Sequence, residues 1–367
     1  MTDYQLRSAQ SFDSINTRRL AKQLVTVGQG LADLGEEDER IVAASSDLKF
    51  STLLSEFEER HPSRFFQFGI SERNMIGAAA GMAALGLRPY VGTFASFAGI
   101  LGYENLRTDL AYPNMPVRVL ATHAGISMGY FATSHHATED ISALRSVAGM
   151  TILSPADGRS AVALLRQTAA YPGPVYVRLS RGRDESVYDE VPSDFSVDQP
   201  YSLRAGGNLL ILGTGLMVRN CLDAATDLAG IGIEASVLDV HTLKPFPTDD
   251  IVRAAAAHDA VLVVEEHNVE GGFGTMVQEA LGAAAVGVPC YKHGLYDEFC
   301  IIGPPHHCYL YYGLDSTGIA TVARRLLDQL PAEKYFARSA TERVLWTDED
   351  RDRVLRDVTE RSPTARS

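Results

Sequence analysis

A lone carboxylate and a pair of phenylalanines are the residues of this chain whose types and spacing first suggest chemistry. Glu72 stands just before the run 75–87, whose small and apolar residues predict a buried helix. Phe94 and Phe97 follow a short predicted strand. A carboxylate beside an apolar, aromatic wall can share a proton with a ring nitrogen, which is general acid–base chemistry. Ordinary roles are the alternatives, because acidic residues stabilise helix N-termini and phenylalanines fill cores.

Three histidines form a second candidate set. His123 lies at the end of a predicted strand, and His135 and His136 lie on the loop that follows. Histidines at strand and loop ends suit proton transfer or contact with a phosphate. No cysteine or further histidine is spaced to complete a metal site around the adjacent pair, so we predict no metal ligands in this chain. A structural role for one histidine of the pair stays open.

Arginines could supply contacts with a phosphate. Arg181 follows the predicted strand 175–179, and an arginine there can bind a phosphate through two parallel hydrogen bonds. A surface salt bridge is the alternative. The glycine-rich stretch 271–274 lacks the spacing of a dinucleotide loop or a P-loop. We expect those glycines to let a helix pack closely on a strand.

Strands that alternate with helices must position these residues. In the first half of the chain, apolar runs predict strands at 40–47, 64–68, 90–93, 117–122, 150–153 and 175–179. The second half repeats the alternation, with predicted strands at 209–212, 235–239, 261–265 and 290–293. We therefore predict an α/β fold of two doubly wound domains with mostly parallel sheets. Such sheets place ligands at the carboxyl ends of their strands.

Composition sets the expected domain boundaries and excludes some functions. We expect a first domain at 12–190, a second at 204–330, and a charged tail at 331–367 that packs on the surface or on a partner. The stretch 183–203, rich in Asp, Glu, Ser and Pro, is the predicted linker. A net charge of −13 disfavours nucleic acid and anionic membranes as partners. The four cysteines lack a CxxC spacing, which predicts free thiols in a reducing cytoplasm.

Several motifs occur together and in the order of one known family. The first half resembles the pyrimidine-binding domain of transketolases in Phe68-Gly-Ile-Ser-Glu-Arg-Asn-Met, Arg88-Pro-Tyr, Thr93-Phe-Ala-Ser-Phe, Thr122-His-Ala-Gly-Ile, Ser154-Pro-Ala-Asp and Val177-Arg-Leu-Ser-Arg. The second half resembles the transketolase C-terminal domain in Asp239-Val-His-Thr-Leu-Lys-Pro-Phe-Pro, Glu265-Glu-His-Asn-Val-Glu-Gly-Gly-Phe-Gly and Gly313-Leu-Asp-Ser-Thr-Gly-Ile. The similarity spans residues 12–330.

This resemblance implies an enzyme that uses thiamine diphosphate. By resemblance, Glu72 matches the glutamate that protonates N1′ of the cofactor's aminopyrimidine ring. Phe94 and Phe97 match the aromatic residues around that ring, and Tyr103 lies where it could line the same wall. The implied reaction is transfer of a two-carbon ketol unit from a ketose to an aldehyde acceptor, with the cofactor as electron sink.

The resemblance also assigns a substrate pocket to residues of this chain. His123 and His135 match histidines of that pocket, and they join the glutamate in the predicted catalytic set. Arg181, Arg18 and Ser51 fall near the family's contacts with the substrate phosphate. The implied substrate is therefore a small sugar or a sugar-like molecule.

The chain departs from the family by lacking one motif. Full-length transketolases begin with a domain that binds the diphosphate through Mg²⁺, using a Gly-Asp-Gly motif and a later Asn. No Gly-Asp-Gly occurs in this chain. The resemblance therefore implies half of an active site, completed by a partner subunit that corresponds to the transketolase N-terminal section and binds Mg²⁺ and the diphosphate. We expect an α₂β₂ assembly with the cofactor at the subunit interface.

A second departure lies at Phe131. Typical transketolases have Asp-Gly-Pro-Thr-His where this chain has Phe131 to His135. The family's acidic residue contacts a sugar hydroxyl, and a phenylalanine cannot accept that hydrogen bond. Sites built for polar contacts discriminate more strongly than apolar ones. The substitution therefore suggests a non-standard substrate, such as a modified sugar or a less polar acceptor.

Other functions fit parts of the same pattern. The β subunit of a 2-oxo acid dehydrogenase E1, or a related carboligase that uses 2-oxo acids, shares the glutamate-bearing domain and the two-chain design. The loop that carries His135 and the Gly313-Leu-Asp motif favour transketolase instead. A 1-deoxyxylulose phosphate synthase fits less well, because that family carries both halves in one chain. A non-catalytic regulatory subunit is the remaining alternative.

Overall fold

Two β-sheets with helices around them are seen in the computed structural model, which describes residues 22–181, 186–328 and 345–360. The first half of the chain supplies six strands of the first sheet: β1 (Ile41–Ser45), β2 (Phe65–Gln67), β3 (Arg88–Phe94), β4 (Arg118–Thr122), β5 (Thr151–Leu153) and β6 (Val175–Arg178). They pair in parallel in the spatial order β5-β6-β4-β3-β1-β2. Every residue of β1, β4 and β6 is buried, as expected for parallel strands with both faces covered.

The first half also contributes the helices that cover this sheet. They are α1 (Lys22–Glu37), α2 (Ser55–Arg60), α3 (Glu72–Ala84), α4 (Asp140–Leu144) and α5 (Gly158–Thr168). The sequence predicts a helix over 94–112, and the structure has one there, divided into the π-helical turns Phe97–Leu101 and Leu106–Ala111 with a short α-helical turn between them. The helical spacing of Leu20, Leu24, Val27, Leu31 and Leu34 predicts that the first helix spans 16–35, and its first residues lie outside the described part of the chain.

The second half of the chain builds the second sheet. Its strands are β7 (Tyr201–Arg204), β8 (Leu209–Gly213), β9 (Ala235–Asp239), β10 (Thr242–Lys244), β11 (Ala260–Asn268) and β12 (Cys290–Leu295). All except β10 belong to this sheet, in the order β12-β11-β8-β9-β7, and only β7 pairs antiparallel there. The two sheets confirm the predicted α/β class with mostly parallel strands. The predicted linker ends in β7, which sequence analysis did not identify.

Strand β10 leaves its own half of the chain and joins the first sheet. It pairs antiparallel with β5, with Thr242 opposite Leu153. Lys244 extends this connection, because its ammonium group donates to the carbonyl oxygen of Arg145 at 2.8 Å and also to that of Val147. The two domains therefore share one sheet as well as an interface.

The described residues of the second half also form the helices α6 (Met217–Ala229), α7 (Thr248–Ala256), α8 (Phe273–Ala283), α9 (Pro305–Tyr312), α10 (Ser316–Asp328) and α11 (Asp348–Glu360). The last belongs to the charged tail. Trp346, just before α11, is buried, and its indole N–H donates to the carbonyl oxygen of Tyr311 at 2.8 Å. Its ring lies against Gly313, where a side chain would overlap it. The described part of the tail therefore packs on the second domain of its own chain.

Among the helices of the described residues, none combines the length and the apolar character that a bilayer-spanning helix needs.

Candidate active site

One edge of the first sheet collects the residues selected from the sequence. Because β1 to β4 and β6 run parallel, their carboxyl ends lie at the same edge. Phe94 is the last residue of β3, and His123 directly follows β4. Arg181 comes just after β6, and Glu72 begins the helix that follows β2. The topology therefore brings residues that are far apart in sequence to the same edge of the sheet.

Four rings form what we call the aromatic cluster: Phe94, Phe97, His123 and His135. The centroid of the Phe94 ring lies 4.2 Å from that of His123, 5.5 Å from that of Phe97 and 5.8 Å from that of His135. The rings of Phe97 and His135 are 5.3 Å apart. Aromatic rings attract one another at such separations. Residues selected from three separate motifs are therefore in direct contact.

His123 is the most buried member of the aromatic cluster. Its φ of +61° is uncommon for a residue other than glycine, and such strained backbone tends to occur at functional sites. The Nδ1 atom lies 2.8 Å from the Thr122 hydroxyl, whereas Nε2 is buried without a partner among the described residues. Burial, together with the nearby charges of Arg181 and His135, holds the pKa of His123 well below its usual value. The ring is therefore neutral at neutral pH, with a nitrogen available to a ligand.

His135 and Phe131 close the outer side of the aromatic cluster. Their ring centroids lie 5.2 Å apart, and Phe131 is 46% exposed. Burial lowers the pKa of His135, whose Nδ1 lies 2.8 Å from the Ser134 hydroxyl. Ala132 has φ +60° and ψ −163°, a conformation normally reserved for glycine. The loop therefore keeps a strained shape while leaving the apolar ring of Phe131 partly exposed to solvent.

Glu72 lies half-buried as the first residue of α3. This helix packs against β3 and against the π-helical turn Phe97–Leu101, the two elements that carry the phenylalanines of the aromatic cluster. Two hydrogen bonds hold the first turn of this helix in place. Arg73 donates to the Asn105 side chain at 3.0 Å, and the Ser46 hydroxyl donates to the sulfur of the buried Met75 at 3.4 Å. The carboxylate is therefore carried by a fixed helix end, on a helix that packs against the elements of the aromatic cluster.

The remaining predicted site residues are placed less centrally. Tyr103 is half-buried and packs against an apolar core cluster to which both domains contribute. Ser51 lies half-buried in the turn after β1, at the same edge of the sheet. Arg181 donates its backbone N–H to the Ser127 hydroxyl at 3.2 Å, and no acidic side chain of the described residues forms an ion pair with it. Arg18 lies outside the described residues.

Glu265, which we did not select as a site residue, explains the glycine-rich stretch. Its carboxylate accepts the N–H groups of Phe273 at 2.7 Å and Gly274 at 2.8 Å, at the N-terminus of α8. Burial raises the pKa of this carboxyl group to about 7. A Cβ at Gly272 would overlap the carboxylate. The position that an anion would occupy at this helix end is therefore filled by the protein itself, which agrees with the predicted structural role of these glycines.

Glu266, the next residue of β11, points to the opposite side and reaches the first domain. Its Oε1 accepts the Ile126 N–H at 2.8 Å and the Tyr309 hydroxyl at 2.6 Å. Burial raises the pKa of Glu266 to about 7. The sequence feature that could have identified Glu265 and Glu266 is the pair of adjacent acidic residues at the end of an apolar run.

A buried ion pair lies behind the aromatic cluster. Asp140, the first residue of α4, accepts from Nε of Arg178 at 3.0 Å and from the Tyr176 hydroxyl at 3.0 Å. The same carboxylate lies 3.8 Å from Nε2 of His267, which comes from the second domain. The Asp140 and Arg178 side chains are almost completely buried. This pair fixes the start of the helix that follows the His135 loop.

Within residues 22–181, 186–328 and 345–360, no three His, Cys, Asp or Glu side chains are grouped so that they could hold a metal ion.

Comparison with known proteins connects this geometry to a family. The family model "Transketolase, pyrimidine binding domain" matches residues 25–184, and "Transketolase, C-terminal domain" matches residues 201–319. The 6-deoxy-6-sulfo-D-fructose transketolase subunit SqwH of Clostridium sp. is 35% identical over 299 residues, which cover 82% of this chain and 92% of that protein. One of the chains of the apulose-4-phosphate transketolase of Phocaeicola vulgatus is 34% identical over 293 residues, or 80% of this chain and 93% of that one.

A solved structure agrees with these relatives. It is described as "Split gene transketolase, inactive beta4 tetramer", and it superimposes with a TM-score of 0.75 at 34% identity, covering 83% of this chain and 98% of the other. Matches of this identity that span nearly the whole length of the relatives establish common descent as well as a common fold. The protein therefore belongs to the transketolase family of transferases, and it matches the pyrimidine-binding and C-terminal domains of that family.

Proposed function

We propose that this protein is the subunit of a split transketolase that supplies the pyrimidine side of a thiamine diphosphate site and part of the substrate pocket. The observation that carries this proposal is the aromatic cluster at the same edge of the sheet where the helix that begins with Glu72 starts. Buried polar atoms in protein cores nearly always have hydrogen-bond partners. The buried Nε2 of His123, without a partner among the described residues, favours a ligand site over plain core packing.

The residues around the aromatic cluster fit an aromatic ring that carries nitrogen atoms. The hydroxyl groups of Thr93 and Ser96, on either side of Phe94, are buried and have no partner in the described part of the chain. Phe94 and Phe97 offer apolar faces against which such a ring can pack, and Glu72 offers a carboxylate for one of its nitrogens. When bound, thiamine diphosphate supplies the electron sink for breaking and forming carbon–carbon bonds.

The chain's own side chains then have distinct roles. Glu72 holds and moves a proton at N1′ of the pyrimidine ring, while Phe94 and Phe97 keep water away from it. His123, neutral because of its low pKa, can donate or accept a hydrogen bond to a sugar hydroxyl. Arg181, which has no acidic partner among the described residues, can bind an anionic group of the substrate. His135 lies between Phe97 and the half-exposed Phe131, where it can contact the reacting part of the sugar.

A partner subunit completes this site in our proposal. We propose that Mg²⁺ and the diphosphate are bound by a second chain, in an α₂β₂ complex with the cofactor at the interface, and the relatives that are named as transketolase subunits support such a partner. The solved relative described as an inactive tetramer of β chains supports this division, since that protein lacks activity in the β-only form.

The proposal predicts that the purified chain, given thiamine diphosphate and Mg²⁺, shows no ketol transfer. Addition of a partner chain from the same organism with Gly-Asp-Gly and a downstream Asn should restore transfer from a ketose donor to an aldehyde acceptor. Ketol transfer by the chain alone and by the chain with its partner can be measured by mass spectrometry of the products. Full activity of the chain alone would contradict the split design. Release of CO₂ from pyruvate or branched 2-oxo acids, without ketol transfer, would favour the dehydrogenase-type alternative.

The substrate of the complex is proposed to lack the hydroxyl contact that an acidic residue makes in typical transketolases. Phe131 occupies that position with a half-exposed ring against His135. Its turn is held by the second domain, because a Cβ at Gly129 would overlap the carbonyl oxygen of Gly303. An apolar ring held at the entrance accepts a modified or less polar sugar. The relative from Clostridium sp., named for 6-deoxy-6-sulfo-D-fructose, supports a modified sugar as the substrate class.

Replacing Phe131 with aspartate should therefore shift the preference of the complex toward ordinary sugar phosphates. We compare kcat/KM for an ordinary sugar phosphate with kcat/KM for the native substrate class. Their ratio should rise by about tenfold or more, because the new carboxylate can accept a hydrogen bond from a sugar hydroxyl. The measurement is a panel of donors and acceptors. Phe299→Asp is the control, since Phe299 is 81% exposed and lies in the second domain. An unchanged substrate profile in Phe131→Asp would count against this role.

A further inference from the structure

The loop 123–127 connects the substrate-facing parts of the proposed site. Its Gly125 exchanges two backbone hydrogen bonds with Ala137, at 3.0 and 2.9 Å, and so fixes the segment next to the second histidine of the aromatic cluster. Its Ser127 hydroxyl accepts the backbone N–H of Arg181 at 3.2 Å. A shift of this loop would therefore move both histidines of the cluster and the arginine together.

This loop rests on a carboxyl group from the other domain. Oε1 of Glu266 accepts the Ile126 N–H at 2.8 Å. Gly125 has φ +61° and lies so close to the carboxyl group that a Cβ there would overlap it. Oε2 accepts from the Ser180 hydroxyl at 3.4 Å, next to Arg181. One carboxyl group thus contacts the backbone beside His123 and the side chain beside Arg181.

Tyr309 and Arg178 orient Glu266. The Tyr309 hydroxyl, carried by α9, donates to Oε1 at 2.6 Å. Nη2 of Arg178 donates to the backbone carbonyl oxygen of Glu266 at 2.9 Å. The Ile126 N–H and the Tyr309 hydroxyl donate to Oε1, and the Ser180 hydroxyl donates to Oε2, so donors on both oxygens restrict the rotation of the carboxyl group. Neither Glu266 nor Tyr309 belongs to the aromatic cluster, so both act at a distance from the reacting atoms.

We propose that Glu266, oriented by Tyr309, is a positioning residue for the substrate pocket. It sets the place of the 123–127 loop and of the end of β6, and hence of His123 and Arg181. This inference rests on the proposed function, which gives those two residues their substrate contacts. Among the described residues, α3 and β3, which carry the cofactor side of the site, make no hydrogen bond with the Glu266 side chain. Substrate binding and cofactor binding should therefore respond differently when this contact is lost.

The test uses the assembled complex and separates donor KM from cofactor affinity. Glu266→Ala should raise the donor KM by about tenfold or more, as expected when a buried acceptor is removed and its donors are left without a partner. Its Kd for thiamine diphosphate should stay within about twofold of wild type, since the cofactor side is held elsewhere. Glu266→Gln keeps an oxygen that accepts from Ile126 and Tyr309, so it should restore the donor KM to within about threefold. Tyr309→Phe should raise the donor KM by about threefold to tenfold.

Glu265→Ala is the matched control. Glu265 is the adjacent residue of the same strand and is equally buried, but its carboxylate faces α8 and not the pocket. Its loss should change stability without changing the donor KM. Equal increases of the donor KM in Glu265→Ala and Glu266→Ala would assign the effect to general damage and overturn the proposal.

The remaining outcomes are also decisive. If Glu266→Ala does not fold, Tyr309→Phe, which removes one hydroxyl group, decides the matter. A wild-type donor KM in Tyr309→Phe would then overturn the positioning role, as would parallel weakening of donor and cofactor binding. The activity of the wild-type complex distinguishes failure of the positioning role from failure of the proposed function. A wild-type complex without ketol transfer contradicts the proposed function, whereas active wild type with unaffected variants contradicts only the role of Glu266.

Discussion

Replacing Glu72 with glutamine in the assembled enzyme is expected to lower kcat by about 10²- to 10⁴-fold, the contribution typical of a general acid–base group. Glutamine keeps the size and the hydrogen bonds of the side chain but cannot give or take the proton at the pyrimidine ring. The donor KM should change little, because the substrate side of the site is built by other loops. Steady-state ketol transfer at saturating thiamine diphosphate measures both parameters.

A second acidic helix end in the same chain provides the control. Glu56 lies in the first turn of α2, so it shares with Glu72 the stabilising position near a helix N-terminus. That interaction is worth about 0.3–1 kcal/mol in stability and should not affect turnover. Glu56→Gln is therefore expected to keep wild-type kcat. If Glu72→Gln also kept more than about a tenth of wild-type kcat, Glu72 would be a helix-end residue only, and a non-catalytic role for the chain would become the better interpretation.

The largest effect on stability is expected from Asp140→Ala. The change removes the buried partner of Arg178 and leaves a guanidinium cation in the core with backbone carbonyl contacts only. Breaking a buried ion pair by removing one partner costs about 3–5 kcal/mol, because the remaining charge stays desolvated. The Tyr176 hydroxyl also loses its acceptor. The free energy of unfolding, measured by urea denaturation followed by circular dichroism, should fall by that amount.

Two comparisons show whether burial of the ion pair causes the loss of stability in Asp140→Ala. Arg166 and Glu37 form an exposed ion pair at 2.7 Å, with 41% and 55% of their side chains accessible. Glu37→Ala should therefore cost less than about 1 kcal/mol. The double variant Asp140→Leu with Arg178→Met removes both charges and should recover much of the loss, since apolar replacements of a buried pair are often neutral. A loss in Asp140→Ala as small as that in Glu37→Ala would show that the pair does not stabilise the fold as described.

The strands could be predicted wherever a local apolar run determined them. The run at 117–122 predicted β4, and the run at 235–239 predicted β9, because a strand buried on both faces needs apolar residues throughout. β10 could not be predicted in this way. It has three residues, Thr242 to Lys244, and it is stabilised by pairing with a strand about 90 residues earlier in the chain. Helix α9 was missed because its His- and Tyr-rich sequence lacks an apolar stripe.

The proposed site was predictable to the extent that its residues end strands or begin helices. Phe94 and His123 were selected for that reason, and parallel strands bring such ends together. Glu266 was not selected, because its partner Ile126 lies 140 positions away and nothing in the local sequence links the two. An acidic residue after an apolar run is ordinarily taken as a strand end facing solvent. Only the packing of the two domains shows that its carboxyl group turns inward.

Strand β10 has a consequence for how this protein can be recombined with its relatives. Because β10 belongs to the second half of the sequence but forms the edge of the first sheet, a chimera joined between the two halves would import a foreign edge strand. The imported segment would have to match β5 in register and supply an equivalent of Lys244 for the carbonyl oxygen of Arg145. The two halves are separate domains in sequence. A half from a relative should nevertheless fold well with this chain only if its β10 segment matches β5.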